Sequence, residues 1–253
     1  MNTRDIGGIP LPGGRLRTAG GMVVRTAALN SRIPAVISDA AGVRAVRAGY
    51  REPVRRIHFL DLRSALEIHS AAEFDAVEEF PAEVVVQRIP LTDPAIRRPQ
   101  PAQRDAEYFA RQYLRMIPAA GPVLDALLRA VAAAEGPVVV GCRLGKDRTG
   151  LVVLLLLRLL GVDDHANCRE FRRTGEDFTA RADWVARYAA GRGEPAAQVM
   201  RRCVLPPSVP ARTLRHLDRH APGPAALARL LGIDAAVLEQ ARPRLTEPKG
   251  EDT

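Results

Sequence analysis

The sequence predicts an α/β fold, with a mainly parallel central sheet flanked by helices and a helical C-terminal part. Two observations carry that expectation. Short, branched apolar runs (Ile57-His58-Phe59-Leu60, Glu83-Val84-Val85-Val86 and Val138-Val139-Val140) are separated by stretches with helical spacing. That alternation puts helices on the faces of parallel strands. Beyond residue 161 the pattern is helical almost to the end. With 253 residues, 47% hydrophobic and 26% charged, the chain has the balance of a protein with a sizeable core. Residues 1–253 are read as a single domain.

The elements follow in order. Residues 1–30 form a glycine-rich N-terminal segment with one or two short strands, Met22-Val23-Val24 among them. Residues 38–50 carry small and basic residues at helical spacing, and the strand from Ile57 ends at Asp61-Leu62-Arg63-Ser64. The next strand closes at Pro90. Pro94, Pro99 and Pro101 then break the chain before a helix from about Gln103 to Met116 and another from Val123 to Ala134. Leu151–Leu160 is a ten-residue apolar run interrupted by Arg158, too short for the roughly 18 residues that span a bilayer. It reads as a buried helix. A proline-rich break at Leu205–Pro210 separates two last helices, around 211–220 and 224–242. Residues 200–253 are assigned to the same domain, because so short a tail cannot bury a core alone.

Charge and cysteine content narrow the partners. The net charge is +8, and 35 of the 37 basic residues are arginine. A basic chain attracts anions of any kind. Aromatics are only 4% and no basic run is interleaved with stacking residues, so no nucleic-acid partner is expected. The start, MNTRDIGGIPLPGG, has no apolar core of a signal peptide. Cys142, Cys168 and Cys203 share no close spacing, which argues against a disulfide framework or a zinc ribbon and for a reducing, cytoplasmic location.

The chemistry concentrates in VVVGCRLGKDRTG, Val138 to Gly150. A buried strand runs into Cys142, a turn passes through Gly145, and Arg148-Thr149-Gly150 opens a long apolar helix. In a C-x5-R loop the residues between cysteine and arginine, here Arg143, Leu144, Gly145, Lys146 and Asp147, wrap a tetrahedral oxyanion with inward N–H groups, and the helix dipole adds to them. Arg148 offers two parallel hydrogen bonds to phosphate oxygens. The same positive surroundings favour a thiolate, the nucleophilic form of a cysteine. A nucleotide-binding glycine loop does not fit, since Gly141 and Gly145 are one residue too close and Asp147 stands where a Mg²⁺-holding hydroxyl belongs. His165 and Cys168 lack a companion pair, so no metal site is expected, and the chemistry calls for no cofactor.

GCRLGKDRTG resembles the signature loop of the atypical bacterial tyrosine phosphatases, which reads C-x-x-G-K-D-R-T-G. The resemblance extends to Asn2-Thr3-Arg4-Asp5-Ile6-Gly7-Gly8, to Val24-Arg25-Thr26-Ala27-Ala28-Leu29, to Asp61-Leu62-Arg63-Ser64 and to Leu230-Leu231-Gly232-Ile233. It implies a cysteine-phosphatase fold and a protein-tyrosine-phosphatase type of hydrolase acting through a phosphocysteine. Phosphotyrosine or a related phosphate ester would be the substrate, and residues 94–118 would form a candidate lid. Two other readings stand beside it: a phosphatase for a phosphoinositide or a small phosphorylated metabolite, and a phosphate-binding pseudophosphatase.

Under the main reading Cys142 is the nucleophile and Arg148 binds the phosphoryl oxygens. Asp93, after a strand and before the proline-rich loop, is the first choice for the general acid, with Asp147 its rival. Arg143, Leu144, Gly145, Lys146, Thr149 and Arg63 complete the candidate substrate-binding set. Arg4, Asp5, Asp61 and Arg63 are expected to form ion pairs behind the loop. Lys146 either reads a second anionic group or pairs with Asp93 or Asp61. Most members of the resembled family carry histidine before the nucleophile. Gly141 stands there in this chain, which implies reduced or specialised activity.

Overall fold

A computed structural model describes residues 2–27, 37, 40–72, 80–92, 105–133, 135–191 and 193–249. Within them the chain runs β1 (Arg4–Asp5), β2 (Leu16–Thr18), β3 (Val23–Ala27), α1 (Ala40–Ala48), β4 (Ile57–Asp61), α2 (Ala65–Ala72), β5 (Val84–Arg88) and α3 (Ala106–Ala132). It continues with β6 (Val138–Cys142), α4 (Asp147–Leu160), α5 (Asp164–Thr179), α6 (Ala182–Ala190) and α7 (Ala196–Cys203). The end comprises α8 (Val209–His220), α9 (Gly223–Leu231), α10 (Ala235–Leu245) and β7 (Thr246–Pro248). This is the expected mixed α/β architecture: a mainly parallel sheet flanked by helices, with a helical C-terminal part.

The sheet order is β1-β3-β6-β4-β5, with β1 antiparallel to β3 and every other pairing parallel. β6 is central, pairing Val138 to Cys142 with Val23 to Ala27 on one side and Val138 to Gly141 with His58 to Asp61 on the other. All five residues of β6 are buried, as a strand covered on both faces requires. The carboxyl edge of such a sheet is where a crevice forms. The loop after Cys142 lies on that edge.

Three expectations from the sequence change. The two helices placed on either side of Pro118–Pro122 are one, α3, which runs 27 residues through both prolines. Each proline removes a helical hydrogen bond, yet one apolar stripe (Tyr113, Met116, Ile117, Ala120, Val123, Leu124, Leu127) is buried continuously across them. Gly121, between the prolines, admits the end of α9: a Cβ there would lie 2.2 Å from the Leu231 carbonyl oxygen. The last two expected helices are three, α8 to α10. Gly232 at φ +65° ends α9, and the Asp234 carboxylate caps α10 by accepting from the Ala236 N–H. Finally β7 pairs antiparallel with β2, Leu16 opposite Pro248, so the last described residues close on the N-terminal segment. The main core cluster joins sheet residues such as Leu60 and Val140 to Leu227, Leu231 and Leu238 of these helices.

Candidate active site

Cys142 ends β6 and is buried, and the chain turns through residues 143–146 into α4. Gly145 makes the turn possible. Its φ is +61°, and a Cβ there would lie 2.5 Å from the Thr26 carbonyl oxygen and 2.9 Å from the Ala27 nitrogen. Both neighbours are backbone at the end of β3, so a side chain at 145 would displace the loop from the sheet. The N-cap residue of α4, Lys146, makes no side-chain cap. The first N–H groups of the helix are left for the loop interior, where an anion is favoured.

Arg148 is clamped by Glu67. Arg148 Nη1 donates to Glu67 Oε2 and Nη2 to Glu67 Oε1, both at 2.6 Å, and Nη1 also reaches the Leu62 carbonyl at 3.1 Å. Glu67 is held in turn by a capping box. The Ser64 N–H donates to Glu67 Oε2 at 2.9 Å, and the Glu67 N–H to Ser64 Oγ at 3.2 Å. Burial alone would lower the affinity of Arg148 for its proton. The neighbouring Cys142 sulfur, the hydrogen bonds and charge of Glu67, and the Asp147 carboxylate outweigh it and hold the guanidinium above its ordinary range. Burial pushes the Glu67 carboxyl up, but the Arg148 contacts and the Ser64 bonds bring it below its usual value.

Behind the loop lies a wall of buried ions. Asp61, at the end of β4, takes Arg63 Nε at 2.9 Å on Oδ1 and Arg63 Nη2 at 2.8 Å on Oδ2. Glu170 of α5 receives Arg25 Nη1 on Oε2 at 2.8 Å and forms an ion pair with Arg4 at 2.8 Å. Arg4 also meets Asp177 at 3.0 Å. Burial and the neighbouring Arg25 lower the Arg4 guanidinium to about 10. Asn2 Nδ2 donates to the carbonyls of Leu144 and Gly145, and Arg25 Nη2 to that of Gly145. Arg4, Asp61 and Arg63 therefore make ion pairs. Asp5 instead accepts the backbone N–H groups of Gly7 and Gly21, because it sits inside a glycine turn.

The outer side of the loop is more polar. Lys146 is buried, its Nζ donating to the Arg202 carbonyl at 2.7 Å, 3.2 Å from Asp147 Oδ2 and 5.4 Å from the centre of the Phe109 ring. Its carboxylate neighbour is thus Asp147; the Asp61 carboxylate is engaged by Arg63. Asp147 Oδ1 accepts from Tyr113 Oη at 2.8 Å. Tyr113 is fully buried on α3, and burial together with the Asp147 charge raises its phenol well above the usual value. A cavity of about 240 Å³ opens here between Phe109, Arg143, Lys146, Asp147, Tyr188 and Arg202. Leu144 packs against the small cluster of α6 and α7 that contains Val185 and Val199. Thr149 is fully buried in the first turn of α4, and its Oγ1 has no hydrogen-bond partner among the described residues.

Two positions singled out in the sequence end differently. Gly141 is set by packing: a Cβ there would lie 2.8 Å from Phe59 Cε2 and 3.0 Å from Thr26 Cγ2. The Phe59 ring fills the space a side chain at 141 would need. Asp93 lies outside the described residues, as do residues 94–104 of the lid segment; its remainder is the first half of α3. Sequence reasoning missed Glu67, Glu170, Tyr113 as an Asp147 partner, and the contacts of Asn2 and Arg25 with the loop. The Ser64-x-x-Glu67 capping box was a readable signal. Glu170 had none, standing in an ordinary polar helix 145 residues from Arg25.

A parallel sheet with a glycine-turned loop and a helix N-terminus at its carboxyl edge defines a class of anion-handling α/β proteins. Within it the chain belongs to the tyrosine phosphatase family, whose model matches residues 1–247. No curated protein matches the chain. Membership implies a phosphatase, a hydrolase acting on a phosphorylated substrate. Among the described residues, no helix is long and apolar enough to cross a membrane.

Proposed function

We propose that the protein is a phosphomonoester hydrolase of the protein-tyrosine-phosphatase type, working through a phosphocysteine on phosphotyrosine or a related ester. The observation that carries the reading is the pairing, on one loop, of Cys142 with an Arg148 whose orientation is fixed by a two-point clamp from Glu67. The Cys142 thiolate attacks phosphorus, a S–P bond forms, and the ester P–O bond breaks. Arg148 and the loop N–H groups hold the equatorial oxygens as charge shifts among them. A carboxylic acid protonates the departing oxygen. Water then attacks phosphorus, giving its proton to the carboxylate formed in the first step; the S–P bond breaks, and inorganic phosphate leaves with the thiolate and the carboxylic acid restored. The unpartnered Thr149 hydroxyl is assigned the role of donating to the departing sulfur. Asp93 and Asp147 are the two carboxyls proposed for the acid. Residues 1–253 would act as one phosphatase domain.

The test is hydrolysis of para-nitrophenyl phosphate in the presence of EDTA. Cys142→Ser should abolish turnover while keeping vanadate binding; retained turnover, or dependence on added metal, rejects the cysteine mechanism. The acid is assigned by leaving group. The aspartate whose change to asparagine slows esters of poor leaving groups far more than para-nitrophenyl phosphate, and flattens the basic limb of the pH–rate profile, is the donor.

A further inference from the structure

We propose that Asn2 and Arg25 are positioning residues for the phosphate loop, holding two of its peptide groups so that their N–H bonds aim into the cradle. The inference rests on reading that loop as an oxyanion site. The Leu144 carbonyl accepts from Asn2 Nδ2 at 3.1 Å. The Gly145 carbonyl accepts from the same nitrogen at 2.8 Å and from Arg25 Nη2 at 2.7 Å. In a trans peptide the carbonyl and the following N–H point to opposite sides. Three contacts that draw these oxygens to the back of the loop therefore turn the N–H groups of Gly145 and Lys146 to its front. Both peptides adjoin a glycine at φ +61°, the residue type with least resistance to a peptide flip. Without the clamp, little local stereochemistry would keep them aimed.

The clamp is also costly to build, which argues for a purpose beyond stability. Arg25 is fully buried on β3, where Val23, two residues back and on the same face of the strand, packs as an apolar residue in the main core. A buried ion pair is seldom more stabilising than apolar packing of similar volume. Here the guanidinium joins a closed ring of bonds. Arg25 meets Glu170, Glu170 meets Arg4, Arg4 Nη1 donates to Asn2 Oδ1 at 2.7 Å, and Asn2 returns to Gly145. The N-terminal segment is thereby tied to the loop that binds substrate.

Asn2→Asp separates the clamp from the tether: the new carboxylate still meets Arg4, and only the donor to the loop is lost. Asn2→Asp and Asn2→Ala should each lower kcat on para-nitrophenyl phosphate about tenfold or more and raise the vanadate inhibition constant in step. KM and the melting temperature should move little. A similar loss in Asn2→Ala excludes simple repulsion by the added charge. Arg25→Lys, which keeps a cationic donor, should recover part of what Arg25→Met loses. If Arg25→Met does not fold, the two Asn2 variants decide. Wild-type kcat and wild-type vanadate inhibition in both Asn2 variants would overturn the proposal, as would losses fully accounted for by lowered melting temperature. Should the wild type hydrolyse no ester, the phosphatase reading fails separately. Calorimetric binding of inorganic phosphate to wild type and Asn2→Asp then still tests the clamp, unchanged affinity rejecting it.

Discussion

Two regions meet at the loop after Cys142, and they are built from opposite materials. On one side, α4 continues as a shaft in which Leu151 to Leu157, Leu159 and Leu160 are all buried. Behind, Arg25, Asp61, Arg63 and Glu170 are as deeply buried as those leucines, and they are charged. Apolar packing is strong but non-directional, so it sets where the helix lies. Hydrogen bonds to ions depend on angle and distance, so they decide which way one peptide or one guanidinium faces. The shaft locates the site, and the ionic wall orients it.

The largest effects should come from removing one member of each region. Glu170→Ala leaves two buried guanidinium groups without their shared carboxylate and should cost about 3–5 kcal/mol. Leu155→Ala, which opens a cavity in the shaft, should cost a comparable ~2–5 kcal/mol. The comparison is then read by kinetics at a temperature where both variants are folded. Leu155→Ala should keep most of the wild-type kcat, and Glu170→Ala should lose it. Equal kcat losses would erase the division between locating and orienting.

A middle effect tests the glycine before Cys142. Gly141→Ala should destabilise by about 1–3 kcal/mol through contact with Phe59 and Thr26, and Gly141→His by more. Adding Phe59→Leu should recover part of the loss, measured by chemical denaturation. A stable Gly141→His variant without that second change would show that the ring moves aside cheaply. The smallest effect concerns Glu67, whose Arg148 contacts hold its carboxyl below the usual value. A depressed acid contributes stability above its ordinary pKa, about 4.3, and loses it as pH falls through the folded-state value. Glu67→Gln should cost about 1 kcal/mol at pH 7. It should also flatten the acid-side fall in stability, and an unaltered slope would mean that Glu67 is not the group titrating there.

Much of the architecture was legible. Strands such as Val138 to Cys142 are short, branched and apolar, and a central parallel strand has few other sequences available to it. Helix junctions were less so. Pro118 and Pro122 are strong local breakers, overridden because the apolar stripe of α3 continues across them. The reverse held at Gly232, where a long helical pattern concealed a left-handed stop.

By itself the sequence determined the loop. The order Cys142, Gly145, Arg148 on a strand–turn–helix junction is local chemistry, readable because its parts lie within a few residues of one another. Tertiary structure alone decided what holds that loop in shape. Glu67 reaches Arg148 across 81 residues, and Glu170 reaches Arg25 across 145. Nothing in local propensity encodes such distances. They arise because the sheet order sets β3 and β4 on either side of β6, bringing charges from three distant segments against one turn. The bare glycine at 141 belongs to the same class of fact. Its reason is the Phe59 ring on the neighbouring strand, visible only once the two strands are side by side.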